Sequence, residues 1–190
     1  MDTGLFFGSF NPIHIGHLII VNHILNLGKV ERTWLIVSPL NPFKDENSLL
    51  DENERFELVK ASVIGDERIL VSDVEFQLPR PSFSYYTLQH LRSIFPQHNF
   101  SIIMGSDSFQ SLQKWKNFEE ITGNHKIFIY RRPGFDVDNK IDAEIEIVNA
   151  PLLNISSTEI RGLIQTGKSI RYLVPDKVRE QIERNMFYKK

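Results

Sequence analysis

Apolar positions in this chain fall into short runs set apart by polar, turn-rich stretches, and the runs are of two kinds. Leu5-Phe6-Phe7, Trp34-Leu35-Ile36-Val37, Ile69-Leu70-Val71, Phe100-Ser101-Ile102-Ile103-Met104 and Lys126 to Tyr130 are short and nearly continuous. Such runs fit strands buried on both faces, as parallel strands are. Between them lie longer segments with helical spacing. Ile15 to Leu27 is apolar almost all round and ends at Gly28, a helix-stopping glycine. Asp51 to Val63 opens with Asp51-x-x-Glu54, a capping pair. Tyr85 to Ile94 stops ahead of Pro96. Glu75 to Ser84 contains Pro79 and Pro81 and predicts irregular backbone. Helical and loop segments after the fourth run carry Phe109, Leu112, Trp115 and Phe118, and Ile145-Glu146-Ile147-Val148 alternates as an edge strand does. A helix opens around Asn154 to Arg161. A last one begins at Pro175, with Val174, Val178, Ile182 and Met186 four apart.

Strands alternating with helices over short connections predict an α/β fold, a doubly wound parallel sheet, as one domain over residues 1–190. Such sheets bind ligands beyond the carboxyl ends of the strands, at the topological switch point. The loops after the first and fourth strands belong there.

Composition narrows the function classes. The net charge of −2 suggests neither a nucleic-acid surface nor one for an acidic membrane, so positive charge for an anion has to be local. With no Cys there is no disulfide, thiol nucleophile or Cys-based zinc site. No apolar stretch reaches membrane length and no leader-like start is present, so cytoplasm is the expected compartment.

The candidate chemistry centres on Gly8-Ser9-Phe10-Asn11-Pro12-Ile13-His14-Ile15-Gly16-His17. It reads as a strand end, a tight loop and the first turn of a helix. Gly8 is expected to take a backbone conformation closed to other residues. His14 and His17, three apart, share one face of that turn. The turn's unpaired N–H groups and dipole attract anions, and Gly16 leaves room for a ligand near the backbone. Either His alone reads equally well as a capping residue. Ser156-x-x-Glu159 has capping-box spacing, but Ser156, Ser157 and Thr158 also cluster hydroxyls at a helix start with Arg161 close behind, a second anion site. Two anion sites suit one polyphosphate. Gly105-Ser106-Asp107 alone is an ordinary turn, and Trp115 alone is a core residue.

The segment from Gly8 to His17 resembles the signature of the nucleotidyltransferase superfamily with the T/H-x-G-H motif. Ile155-Ser156-Ser157-Thr158-Glu159-Ile160-Arg161 resembles that superfamily's I-S-S-T-x-I-R element, which implies a hold on the β- and γ-phosphates of ATP. The resemblance runs the full length, with Tyr172-Leu173-Val174-Pro175 matching too, and is closest to the nicotinate-nucleotide adenylyltransferases. It implies ATP contacts for Gly8, Ser9, Phe10, His14, His17, Gly105, Asp107, Ser156, Ser157, Thr158 and Arg161. It places Phe10, Asn11, Tyr86, Thr87, Trp115 and Arg132 around the mononucleotide, with Trp115 stacked on the pyridine ring. His14, His17, Lys44 and Arg161 would act on the reacting phosphates, and Mg²⁺ would arrive on the phosphates themselves, no metal cage being apparent. Two stretches depart from the pattern. Asn41-Pro42-Phe43-Lys44 keeps the family's Lys but has Phe43 where it has His, and Gln89-His90 replace an Asp and a Thr after Tyr86-Thr87.

The reaction implied is adenylyl transfer from ATP to nicotinate mononucleotide, giving deamido-NAD and pyrophosphate. The start of the helix at Tyr85 would supply backbone N–H groups to the nicotinate carboxylate, without help from Arg92 or Arg132. Partners would be small molecules, with neither nucleic acid nor membrane among them and homo-oligomers left open. Two readings compete: another adenylyltransferase, of nicotinamide mononucleotide or phosphopantetheine, and a non-catalytic nucleotide sensor that kept the fold.

Overall fold

The computed structural model describes residues 1–40, 49–137, 141–151 and 153–189. Six strands form one sheet: β1 (Asp2–Gly8), β2 (Arg32–Val37), β3 (Ile69–Ser72), β4 (Asn99–Gly105), β5 (Ile127–Tyr130) and β6 (Ile145–Val148). Their order is β3-β2-β1-β4-β5-β6 and all five pairings are parallel. The chain winds outward from β1 one way to β3, then returns to β4 and winds the other way, so the switch point lies between β1 and β4.

Among the described residues seven α-helices cover the two faces: α1 (Ile15–Asn26), α2 (Glu52–Ser62), α3 (Ser84–Ile94), α4 (Ser106–Gln110), α5 (Phe118–Asn124), α6 (Ser157–Gln165) and α7 (Asp176–Arg184). The strand runs are continuous because alternate residues serve opposite faces. Phe6, Leu35, Val37, Ile103 and Phe128 pack with Ile24, Leu58, Ile160 and Val178 from α1, α2, α6 and α7. Leu5, Trp34, Ile36, Ile102 and Ile129 pack on the other face with Leu88, Leu91, Phe109 and Ile121 from α3, α4 and α5.

Several boundaries differ from the sequence expectation. Part of the stretch expected to be irregular, Val74–Gln77, is a short 3-10 turn. Asp51 caps α2 by accepting the Asn53 N–H. Pro175 stands at the N-cap of α7 rather than inside it. Met186 lies beyond α7 and is exposed, so the apolar stripe is Val174, Val178 and Ile182.

Candidate active site

A cleft of roughly 370 Å³ opens at the carboxyl ends of β1 and β4. Its floor is the loop after β1. Gly8 does not take a left-handed conformation; Phe10 does, at φ 44°, and its buried ring lies edge-on to Phe6 and His17, 5.8 and 5.2 Å between centroids. Gly8 is needed for space instead, since a Cβ there would stand 2.8 Å from the Phe10 ring. The loop is held on all sides. The Ser38 N–H donates to Gly8 O (2.9 Å), the Leu50 N–H to Asn11 Oδ1 (3.1 Å), the Arg161 guanidinium to Asn11 O (2.8 Å) and Ser157 Oγ to Pro12 O (2.9 Å). Asn11 therefore lines the cleft while its side chain braces the entry to α2. Ser9 Oγ is buried and has no hydrogen-bond partner among the described residues.

His14 is the N-cap of α1, in extended conformation. Its backbone N–H donates to His17 Nδ1 at 3.2 Å, and the two rings stack with centroids 3.7 Å apart. A neutral ring that accepts at Nδ1 carries its proton on Nε2, so His17 is a donor at Nε2. His14 is 4% exposed, and burial, with the Arg132 charge adding to it, pushes it down to about 4. At neutral pH His14 is thus an uncharged imidazole. Gly16 does not leave space for a ligand, because the His14 ring fills it: a Cβ at Gly16 would lie 3.0 Å from Nδ1.

Across the cleft, α6 presents Ser156, Ser157 and Thr158 to the same space. Ser156 caps α6 by accepting the Glu159 N–H at 3.1 Å, so the capping reading holds alongside any role toward an anion. Arg161 is not among the residues lining the cleft. One nitrogen holds Asn11 O and another lies 3.4 Å from Thr158 Oγ1.

At the end of β4, Asp107 and Arg132 form an ion pair of 2.7 Å, and the Arg132 N–H donates to Ser106 Oγ at 2.8 Å. Asp107 Oδ1 is buried and unpartnered among the described residues, an acceptor available to a hydroxyl. Tyr130 packs against Gly105, and burial pushes its phenol up to about 12, so it stays protonated.

The far end of the cleft is aromatic and basic. Trp115 is half-buried; it packs against the core under α3 and also lines the cleft. Ser82, Phe83, Ser84 and Tyr85 line the opposite wall. No side chain caps α3, which leaves the Ser84 and Tyr85 N–H groups unpaired among the described backbone bonds. Lys116 Nζ sits 5.1 Å from the Phe83 ring centre and 4.6 Å from that of Tyr86, a cation–π arrangement.

The other expected mononucleotide residues stand differently. Thr87 is 1% exposed and spends its hydroxyl on Glu75 Oε1 at 2.8 Å, so its side chain is structural rather than ligand-facing. Glu75 is itself buried, and its carboxyl is raised by that burial. Tyr86 does not line the cleft and bears on it only through Lys116. Lys44 lies outside the described residues. Tyr130, Ser38, Ser82, Lys114 and Lys116 line the cleft without having been picked out from sequence. The two lysines flanking Trp115 were the readable signal among them.

Among the described residues no cluster of three or more His, Asp or Glu could hold a metal ion, and no helix is long and apolar enough to cross a membrane. Asp107, the one carboxylate lining the cleft among those residues, is engaged by Arg132.

Residues 5–163 match the cytidylyltransferase-like family model. A probable nicotinate-nucleotide adenylyltransferase of Flavobacterium johnsoniae is 44% identical over the whole of both chains. Another, of Christiangramia forsetii, is 46% identical over 98% of each. The fold matches that of Plasmodium falciparum nicotinic acid mononucleotide adenylyltransferase complexed with NaAD, with a TM-score of 0.84, 20% identity, and 98% and 97% of the two chains covered.

Proposed function

This chain belongs to the cytidylyltransferase-like family and, within it, to the nicotinate-nucleotide adenylyltransferases, and from that premise we propose how its cleft carries the reaction. The reaction is adenylyl transfer from ATP to nicotinate mononucleotide, a step of NAD biosynthesis. A phosphate oxygen of the mononucleotide attacks the α-phosphorus of ATP, the bond to the bridging oxygen of the β-phosphate breaks, and deamido-NAD and pyrophosphate leave. The nucleophile is already ionised at neutral pH, so no strong general base is needed. The protein's work is alignment and neutralisation of growing charge.

The observation that most supports the reading is the meeting of two anion-binding helix starts across one loop: His14 and His17 at α1, and Ser156, Ser157 and Thr158 at α6. Both imidazoles serve as hydrogen-bond donors. His14, uncharged at neutral pH, is not a proton-carrying acid. The α6 hydroxyls take the outer phosphates, with Lys44 and the Arg161 nitrogens left over from Asn11 supporting the departing pyrophosphate. Asp107 accepts from a hydroxyl on the nucleotide side. The pyridine ring stacks on Trp115, and its carboxylate meets the Ser84 and Tyr85 N–H groups within reach of Lys116 charge. On this reading magnesium comes as part of the ATP substrate, held mainly by the phosphates. The partners on this reading are small molecules rather than nucleic acid, and the compartment is the cytoplasm. Incubating the chain with ATP and nicotinate mononucleotide and identifying the product by mass spectrometry tests it: deamido-NAD is expected, and its absence would refute the proposal.

A further inference from the structure

Arg55 is the largest fully buried side chain in the structure, 1% exposed, and the reaction just described does not use it. It stands on α2 three and four residues before Leu58 and Val59, on the helix's buried face. Among the described residues its guanidinium makes four hydrogen bonds, all to main-chain carbonyls. Nε–H donates to Leu50 O (2.7 Å), Nη1 to both Ser9 O (2.7 Å) and Ser38 O (2.8 Å), and Nη2 to Pro39 O (2.9 Å). These carbonyls belong to three segments: the loop after β1, the loop after β2 and the turn into α2. A buried cation whose hydrogen bonds among the described residues all go to neutral carbonyls is costly to keep; burial lowers the Arg55 pKa, with the Glu52 and Asp51 carboxylates pulling the other way, and the guanidinium stays charged.

We infer that Arg55 is a positioning residue that aims the amides of the loop after β1 at the substrate phosphates, an inference that rests on the adenylyl-transfer reading. The peptide Ser9–Phe10 is trans, so the Phe10 N–H points away from the Ser9 carbonyl. With that carbonyl turned onto Arg55, the N–H is turned the opposite way. It donates to no backbone acceptor among the described residues. Ser9 Oγ, beside it, is buried, lines the cleft and has no hydrogen-bond partner among the described residues. Phe10 holds φ 44°, a conformation most side chains avoid, which persists only where its surroundings enforce it. Arg55 grips the carbonyl before Phe10, and Arg161 grips the carbonyl of Asn11 after it. The guanidinium also places a fixed positive charge under a site that receives a polyphosphate.

The test is steady-state kinetics on the full chain carrying Arg55→Lys, with melting curves to fix the folded fraction. Lysine keeps the charge, but one ammonium cannot span carbonyls of three segments. Misplacing the loop by about an ångström is worth roughly 10²-fold in rate. The expected result is a kcat loss of that order per folded molecule, with KM for nicotinate mononucleotide within about threefold of wild type, a change too small to mark lost binding. Arg55→Ala should recover part of its kcat in millimolar guanidinium chloride and none in sodium chloride. If neither variant folds, the Phe10 amide resonance of the wild-type chain, titrated with pyrophosphate, decides instead: a shift supports the inference and an unmoved resonance overturns it. A folded Arg55→Lys with wild-type kcat, or one losing only KM, overturns it too and leaves the adenylyl-transfer reading intact. A wild-type chain inactive with nicotinate mononucleotide strikes at that reading instead.

Discussion

Replacing His17 by Asn should separate two jobs that the one ring performs. Nδ1 accepts the His14 N–H at 3.2 Å and so helps close the start of α1. Nε2 carries the ring's proton and, on the proposed reading, donates it toward the reacting phosphates. An Asn amide oxygen stands about where Nδ1 stood and can take the same N–H, but nothing in Asn replaces the outer donor. His17→Asn therefore keeps the cap and loses the contact with the reacting phosphates. One such donor is typically worth ~10²–10³ in kcat. The cap, one ordinary hydrogen bond, is worth about 1 kcal/mol, or about 2–4 °C of Tm for a domain of this size. The expected pattern is that His17→Ala loses both, whereas His17→Asn loses kcat with Tm near wild type. Calorimetry and a continuous pyrophosphate-release assay on the three proteins read it directly. If His17→Asn turned over within about threefold of wild type, the ring would be only a capping element and the proposed role would fail.

Trp115→Ala removes a stacking surface worth roughly 1–3 kcal/mol; KM for the mononucleotide should rise with KM for ATP little changed, and a chain unfolded by circular dichroism would assign Trp115 to the core alone. The chain should prefer nicotinate to nicotinamide mononucleotide by at least roughly tenfold in kcat/KM, because the unpaired N–H groups of α3 leave an amide NH₂ without an acceptor. Lys116→Gln should shrink that preference without abolishing it, whereas Arg132→Gln, already paired with Asp107, should leave it standing; equal use of acid and amide by wild type would contradict the pocket. Stability should fall as pH drops from 6.5 toward 4. His14 binds its proton only near 4 in the folded chain but near 6.5 when unfolded, so the unfolded state takes up more protons across that window. The effect is at most about 3 kcal/mol, His125 adds to it in the same direction, and Glu75, raised by burial, opposes it at the acid end. Urea melts should show the slope flattened in His14→Gln; an unchanged slope would refute the assignment.

The inner strands were legible because they are covered on both faces, which makes runs such as Trp34 to Val37 continuous. The alternation of Ile145 to Val148 marked one half-covered edge, whereas the continuous run Ile69-Leu70-Val71 forms the other edge with Leu70 exposed. The helix starts at His14 and Ser156 were legible because capping chemistry is local in sequence. What sequence left hidden depends on contacts across the fold. Nothing local says that Phe10 rather than Gly8 bears the positive φ, since the cause is the packing of its ring over Gly8. Gly16 looked like room for a ligand, yet the room belongs to the His14 ring. Thr87 matched a ligand motif, but its hydroxyl meets Glu75 twelve residues earlier. Arg161 sits behind three hydroxyls in sequence and in space reaches back to Asn11. Arg55 carries no local signal, because three of its acceptors lie on loops distant in the chain.

Pyrophosphate release from ATP, measured with nicotinate mononucleotide, nicotinamide mononucleotide, phosphopantetheine or no acceptor, decides whether the cleft carries this adenylyl transfer. Release should be rapid with nicotinate mononucleotide, slower with its amide, and no faster than background with phosphopantetheine or without acceptor. Release fastest with phosphopantetheine would contradict it, and so would tight ATP binding with no release in any arm, the behaviour of a nucleotide sensor.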